Sequence, residues 1–175
     1  MELLIEIIKA FWFILPAYGA NAFPPLMKGK RPIDFGKKLG KERILGDGKT
    51  IEGTLGGLAF GIFVVLAQIF VQSQLSFIKD YGFIEITFAL GLSIVLGALL
   101  GDMFGSFIKR RIGIKRGDPA PLLDQLDFIF GALILSSIFV KLELITILIL
   151  LIATPIIHYT SNAIAYLLKI KQVPY

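Results

Sequence analysis

The sequence contains no cysteine and only one histidine. The absence of cysteine excludes disulfide bonds, thiolate metal sites and thiol nucleophiles. No Ser-His-Asp or Cys-His arrangement is recognisable either, which argues against nucleophilic catalysis of those types. There is no internal repeat, low-complexity segment or linker to mark a second domain. We therefore predict that residues 1–175 form a single domain.

Apolar residues, in contrast, are abundant. They make up 55% of the chain, and the mean hydropathy is +0.78. Charge-free runs approach the roughly 20 residues that a helix needs to cross a bilayer. Sustained alternation typical of a barrel is missing, and lipid leaves helices as the other spanning structure. The prediction is an all-α integral membrane protein, a bundle of five transmembrane helices with two basic cytoplasmic loops. Its apolar segments are Leu3 to Met27, Gly53 to Gln72, Phe83 past Gly101, Phe128 to Val140 (or from Leu122), and Leu142 to Leu168.

The basic residues are distributed very unevenly. Of the 18 Lys and Arg residues, 15 lie in loops 28–52 and 108–121 and near the C-terminus, which alternating spans place on one side. The positive-inside rule assigns that side to the cytoplasm and the N-terminus to the outside of a multi-pass cell-membrane protein. We read the first span as a retained helix, because no small-residue cleavage site follows it. The net charge of +5, combined with apolar spans, favours a membrane surface or an anionic small substrate over nucleic acid.

Three aspartates lie at the cytoplasmic ends of the third and fourth predicted spans: Asp102, Asp124 and Asp127. Carboxylates in spanning helices are costly and usually face a polar cavity or a partner. Asp124 and Asp127 share one helix face, and a loop of about a dozen residues makes the two helices antiparallel neighbours. We expect the three carboxylates to converge and to bind Mg²⁺, which prefers oxygen ligands. The alternative is that they only form ion pairs with nearby basic residues.

The loop between those aspartates contains five cations: Lys109, Arg110, Arg111, Lys115 and Arg116. A divalent metal together with Lys and Arg side chains is the arrangement that a polyphosphate substrate requires. Basic clusters beside a membrane also bind anionic lipid without catalytic purpose, and that alternative stays open.

The first basic loop ends in ILGDGKTIEGTLGG, which leads directly into the second span. A Gly-rich segment that opens a helix offers backbone N–H groups to an anion, with Lys49, Thr50 and Glu52 beside it. It is not a Walker motif, because Arg43 occupies the position of the first glycine. A plain loop with a helix cap explains it equally well. Asn21 in the first span and His158 and Tyr159 in the fifth are polar residues that can line the same cavity.

Two motifs together resemble the CDP-diacylglycerol synthase superfamily. GDMFGSFIKRRIGIK followed by LLDQLD is similar to the signature region of that superfamily, and KTIEGTLGG is similar to its other motif. Together they cover about 85 residues in the order found in the superfamily. The bacterial Pro-Gly-His-Gly-Gly run is replaced by DPAPL. This difference and the short chain resemble the archaeal branch, the CDP-archaeol synthases.

The resemblance implies Mg²⁺-dependent cytidylyl transfer from CTP to 2,3-bis-O-(geranylgeranyl)-sn-glycerol 1-phosphate, which gives unsaturated CDP-archaeol and diphosphate. The alternatives are a CDP-diacylglycerol synthase for ester lipids, a CTP-dependent polyprenol kinase and, from another class, a membrane transporter. The partners expected are CTP, a lipid phosphate and the bilayer. By matching position, Asp102, Asp124 and Asp127 become metal ligands and catalytic residues together with Lys109. The remaining assignments are Asn21, Lys49, Thr50, Glu52 and Arg110 for the nucleotide, and Arg111 and Lys115 for the lipid phosphate.

Overall fold

The computed structural model describes residues 1–75, 77–115 and 118–167. Within them the regular secondary structure is almost all helix, so the predicted fold class is confirmed. One short antiparallel hairpin, strands β1 and β2, precedes the second helix. The elements are α1 (Glu2–Ala22), a 3-10 turn (Pro24–Met27), β1 (Lys38–Leu39), β2 (Glu42–Arg43), α2 (Ile51–Gln74), α3 (Phe77–Asp80), α4 (Phe88–Arg111), α5 (Leu123–Ser136) and α6 (Leu144–Leu167).

Four of these helices are long and apolar enough to cross a membrane: α1 with its 3-10 turn, α2, α4 and α6. Side-chain caps begin two of them. The hydroxyl of Thr50 accepts from the Gly53 N–H at the start of α2, and that of Thr87 accepts from Leu90 at the start of α4. Such caps satisfy N–H groups that the first turn of a helix leaves unpaired.

The fourth predicted span is present but differs from the others in length. Helix α5 begins at Leu123, so Asp124 and Asp127 form its first turns, and it ends at Ser136. Its 14 residues extend about 21 Å, which is less than the ~30 Å of a hydrocarbon core. The sequence left two starts open for this helix. The earlier one, with Leu122 to Asp127 as its first turns, is confirmed, and the later start at Phe128 was wrong, because the two aspartates interrupt the apolar signal that was used to locate the helix.

Helices α4 and α5 pack with their backbones in close contact. A Cβ added at Gly97 would overlap the carbonyl of Gly131, and one added at Gly101 would overlap the carbonyl of Asp127. Gly97, Gly101 and Gly105 thus form a stripe of small residues on α4 that allows the two backbones to approach closely. It brings the helix that carries Asp102 directly against the helix that carries Asp124.

Buried apolar side chains form a core along α1, where Phe13 and Ile14 are fully covered. Many large apolar side chains instead point outward from the bundle, including Phe63, Phe70 and Ile152. Outward apolar faces are expected where lipid surrounds the protein.

The two basic loops lie at the same end of the bundle. Arg111, at the end of α4, donates hydrogen bonds to the carbonyls of Leu39 and Arg43 in the first loop. This agrees with the predicted placement of both loops on one side of the membrane. The two lysines near the C-terminus, Lys169 and Lys171, lie outside the described residues.

Candidate functional site

A cavity of about 900 Å³ opens among α1, α2, α4, α5 and α6 at the end of the bundle that carries the basic loops. Its wall combines apolar surface with a group of charged and polar side chains, although the helices around it are apolar. His158 and Tyr159 line it, as the sequence predicted. Seven of the proposed site residues also line it: Asn21, Lys49, Thr50, Asp102, Lys109, Asp124 and Asp127.

The first ion pair in the cavity joins the first loop to α4. The Nζ of Lys49 lies 2.5 Å from Oδ2 of Asp102, and each side chain is about one-quarter exposed. These residues are 53 positions apart in the sequence, so the contact depends on the tertiary fold. It holds the end of the first loop against α4.

A second ion pair joins α4 to α5. The Nζ of Lys109 donates to Oδ1 of Asp124, whose other oxygen accepts from the Ala120 N–H at 2.9 Å. The pairing between aspartates and basic residues that the sequence left as an alternative therefore occurs at this position.

Asp127 is the most deeply placed of the three carboxylates, with 9% of the residue exposed. Its Oδ1 accepts from the Phe128 N–H at 2.7 Å. The carboxylate lies against Gly105, where a Cβ would overlap Oδ2. It is near enough to Asp102, Lys49 and Lys109 to interact with all of them electrostatically.

The predicted convergence of three carboxylates on one point is not observed. Within residues 1–75, 77–115 and 118–167, no three His, Cys, Asp or Glu side chains are grouped closely enough to hold a metal ion. Asp102 and Asp124 instead each pair with an ammonium group, of Lys49 and Lys109 respectively. The donor set still fits a hard cation, because it offers carboxylate oxygens on one cavity wall and two of them already hold a positive group.

The start of α2 forms the anion-attracting side of the cavity. Gly48, Lys49, Thr50, Gly53 and Thr54 all line it. The positive end of the helix dipole and the Lys49 ammonium group face the same space, which favours a phosphate group. The hydroxyl of Thr50 is engaged as the helix cap, so the capping interpretation of this segment is confirmed for that side chain.

Four of the proposed site residues do not line the cavity. Glu52 forms an ion pair with Arg31 at 2.8 Å, and Arg110 lies beside Gly46. Lys115 has an exposed side chain. Arg111 donates to backbone carbonyls of the hairpin.

Sequence reasoning also missed residues that line the cavity: Lys28, Asp47, Asp118 and Gln125. Asp47 is part of the quoted Gly-rich segment, and Gln125 lies between the two aspartates of α5. Their neighbours could therefore have signalled them. Asp118 and Lys28 are in loops, where no helical spacing indicates which way a side chain points.

A second space lies beside the polar cavity on the surface of the bundle. It is a groove of about 430 Å³ between α4 and α5, and its lining is almost wholly apolar. Leu100, Phe104, Phe130 and Ile134 form its walls, and Asp127 lines its inner side. Because Asp127 also lines the polar cavity, the two spaces adjoin at that residue.

Comparison with known proteins gives one consistent result. A family model described as CarS-like CDP-archaeol synthase matches residues 2–175. A CDP-archaeol synthase of Thermococcus kodakarensis is 44% identical over 177 residues, which cover 100% of both chains. A CDP-archaeol synthase of Methanopyrus kandleri is 46% identical, and the match covers 98% of this chain and 95% of that protein.

A solved structure is similar as well. It is described as an intramembrane enzyme for archaeal membrane lipids biosynthesis, and it superposes with a TM-score of 0.77 at 41% sequence identity. The match covers 89% of this chain and 94% of the other.

Proposed function

Because the chain belongs to the CDP-archaeol synthase family, we propose that it makes CDP-archaeol at the polar cavity, with the lipid held in the adjoining groove. The reaction joins CTP to 2,3-bis-O-(geranylgeranyl)-sn-glycerol 1-phosphate and releases diphosphate. The observation that carries this assignment is that Asp127 lines both a charged cavity and an apolar groove. A water-soluble nucleotide and a membrane lipid can meet only at such a boundary.

The nucleotide occupies the polar cavity in this proposal. Its volume of about 900 Å³ lies within the usual range for small-molecule sites. Lys49 lies just before α2 and Lys109 lies on α4. When CTP binds, each lysine leaves its carboxylate partner and contacts phosphate oxygens. Asn21 lies on the α1 side and adds an amide group, which both donates and accepts hydrogen bonds.

Asp102, Asp124 and Asp127 are the residues that hold Mg²⁺ in this proposal. A bound Mg²⁺ would offset the negative charge that develops on the diphosphate leaving group. The carboxylate oxygens on the cavity wall support the assignment, and so do the ammonium groups that two of them attract.

The lipid phosphate reaches the cavity sideways. Its isoprenoid chains lie along the groove between α4 and α5, and its phosphate reaches past Asp127. The groove is open on the outer surface of two helices that we expect to lie in the bilayer. The chains therefore stay in an apolar environment throughout the reaction.

The chemical step then requires little from the protein beyond alignment. An oxygen of the lipid phosphate attacks the α-phosphorus of CTP and forms a new P–O bond. The bond between the α-phosphorus and the bridging oxygen breaks, and diphosphate leaves with the electron pair. Since the attacking phosphate is already anionic near neutral pH, no strong general base is needed. Lys49 and Lys109 contribute by positioning and by neutralising charge.

The test is an assay of the purified protein with CTP, Mg²⁺ and a panel of lipid phosphates and lipid alcohols, with the products identified by mass. We expect a product that carries cytidine and the α-phosphate, formed from ether-linked geranylgeranyl glycerol phosphate in preference to ester lipids. Transfer of the γ-phosphate to a polyprenol without the base would show instead that the chain is a kinase. A product formed equally fast without a divalent cation would refute the proposed role of Mg²⁺.

A further inference from the structure

The first basic loop folds around one buried carboxylate. The side chain of Asp34 is 1% exposed, and it accepts hydrogen bonds from Arg43 and from the backbone N–H groups of Gly36, Leu45 and Gly46. The Arg43 guanidinium and these N–H groups hold the pKa of Asp34 well below its usual range. A buried charge that is paired and hydrogen-bonded in this way fixes the backbone around it. The loop is therefore a folded unit.

One arginine of α4 attaches this unit to the helix bundle. Nη1 of Arg111 lies 2.7 Å from the carbonyl oxygen of Leu39, and Nη2 lies 2.6 Å from that of Arg43. The guanidinium also lies over the Phe107 ring, 5.2 Å from its centroid. A planar group with several fixed donors can hold two carbonyls at once, which an ammonium group cannot reproduce.

The same unit leads directly to Lys49. The backbone N–H of Ile33 donates to the carbonyl of Lys49 at 2.9 Å, and that of Ile51 donates to Arg31. Lys49 is thereby fixed between the unit around Asp34 and the start of α2. From this position its ammonium group reaches Asp102 across the cavity.

We propose that Arg111 is a positioning residue for Lys49, acting on CTP through the β1–β2 hairpin, and that it does not bind the lipid phosphate. The inference rests on the proposed function, because it gives Lys49 a role in nucleotide binding. It also gives Arg43, which disrupts a Walker motif in the sequence, a role as the partner of Asp34. In a Walker motif a glycine-rich loop precedes the lysine, whereas in this chain a folded hairpin positions Lys49.

The test is a set of double-mutant cycles on CTP affinity, measured by calorimetry in detergent with Mg²⁺ present. Arg111→Ala and Lys49→Ala each weaken CTP binding by about tenfold, since interaction energies between coupled residues reach one to a few kcal/mol. In the double variant the affinity stays within about twofold of that of Lys49→Ala alone, because Arg111 has no further residue to position. Arg111→Lys remains close to Arg111→Ala, since an ammonium group lacks the planar fork that reaches both carbonyls while it stacks on Phe107.

Two controls separate positioning from general damage. Lys41→Ala removes an exposed charge from the turn of the same hairpin and leaves CTP affinity unchanged. Combining Arg111→Ala with Lys109→Ala gives additive losses, because Lys109 is carried by α4 and is not placed by the hairpin. If Arg111→Ala only loosened the fold, it would lower CTP affinity by the same factor in the Lys49→Ala and the Lys109→Ala variants.

Additive losses for Arg111 and Lys49, or an Arg111→Ala effect confined to the KM of the lipid, would overturn the inference. An unchanged CTP affinity in either single variant would overturn it as well. If wild-type protein makes no CDP-lipid, the proposed function fails. The cycles still measure the coupling between Arg111 and Lys49, so the two failures are distinguishable.

Discussion

Two lysines of the cavity bind the carboxylates that we assign to the metal. Lys49 is paired with Asp102 and Lys109 with Asp124, so the wall carries its own counter-charges. We propose that binding a nucleotide together with a divalent cation moves each lysine to a phosphate and leaves the carboxylates to the metal. This exchange makes the two ligands mutually dependent, because neither alone satisfies all the charges.

Replacing Asp124 by Asn removes one unit of negative charge and keeps the shape of the side chain. We expect Asp124→Asn to lower CDP-lipid formation at least about 100-fold, since both the cation site and the pairing of Lys109 depend on that charge. The product is measured by mass spectrometry. A melting curve similar to that of wild type shows that the protein is folded, and near-normal activity in a folded variant would refute the metal assignment.

Removing Lys49 should have opposite effects on the two ligands. Lys49→Ala frees Asp102, so we expect the protein without nucleotide to bind Mn²⁺ several-fold more tightly, as measured by electron paramagnetic resonance. Lys41→Ala is the matched control, because it removes the same charge from an exposed position. Equal Mn²⁺ affinity in wild type and Lys49→Ala would contradict the exchange of partners.

At the scale of elements, the site depends on how closely α4 and α5 approach each other. The glycines of α4 face the backbone of α5, and Gly105 leaves the space that the Asp127 carboxylate occupies. The small-residue stripe thus serves packing along most of its length and, at the end that carries the basic loops, leaves room for the carboxylate of Asp127. Packing and site geometry are set by the same row of residues.

A methyl group at either end of the stripe should separate these two roles. Gly105→Ala displaces the Asp127 carboxylate, and we expect it to lower kcat about tenfold or more beyond any loss of stability. Gly97→Ala disturbs the contact with Gly131 and should lower the melting temperature without a comparable loss of kcat in the folded protein. If both variants lost activity only in proportion to stability, Gly105 would have no special role in placing Asp127.

The sequence predicted the helices well because lipid allows few other structures and long apolar runs are easy to recognise. The start of α5 was harder to predict, since Asp124 and Asp127 make its first turns look like a loop. The β1–β2 hairpin gave no signal in the sequence, because strands of two residues show no periodicity. The hairpin is held instead by the tertiary contacts of Asp34 and Arg111. The partner of Lys49 could not be predicted either, because a contact across 53 residues is set by the fold.

At the scale of the whole molecule, the basic loops and the cavity are concentrated at one end, and large apolar side chains cover the outer surface of the helices between the ends. We propose that the basic end faces the cytoplasm, where CTP is available. The absence of cysteine makes this orientation simple to test.

Single cysteines can be introduced at two exposed positions at opposite ends. We expect Lys41→Cys to react with a membrane-impermeant maleimide only in inverted vesicles, and Lys141→Cys only in vesicles with the outer face exposed. Wild type is the control and should not react, because it contains no cysteine. The reverse pattern of labelling would place the cavity on the outside and would contradict the proposed topology.

The shortness of α5 has a consequence for where the chemistry occurs. A helix of 14 residues that starts at the polar cavity falls about 9 Å short of a full hydrocarbon thickness. Its first turns pack against α4 before that helix ends, since Asp127 lies against Gly101 and Gly105 while α4 continues to Arg111. We propose that the site lies in a recess of the membrane surface, so that the nucleotide reaches the lipid phosphate without the lipid leaving its leaflet.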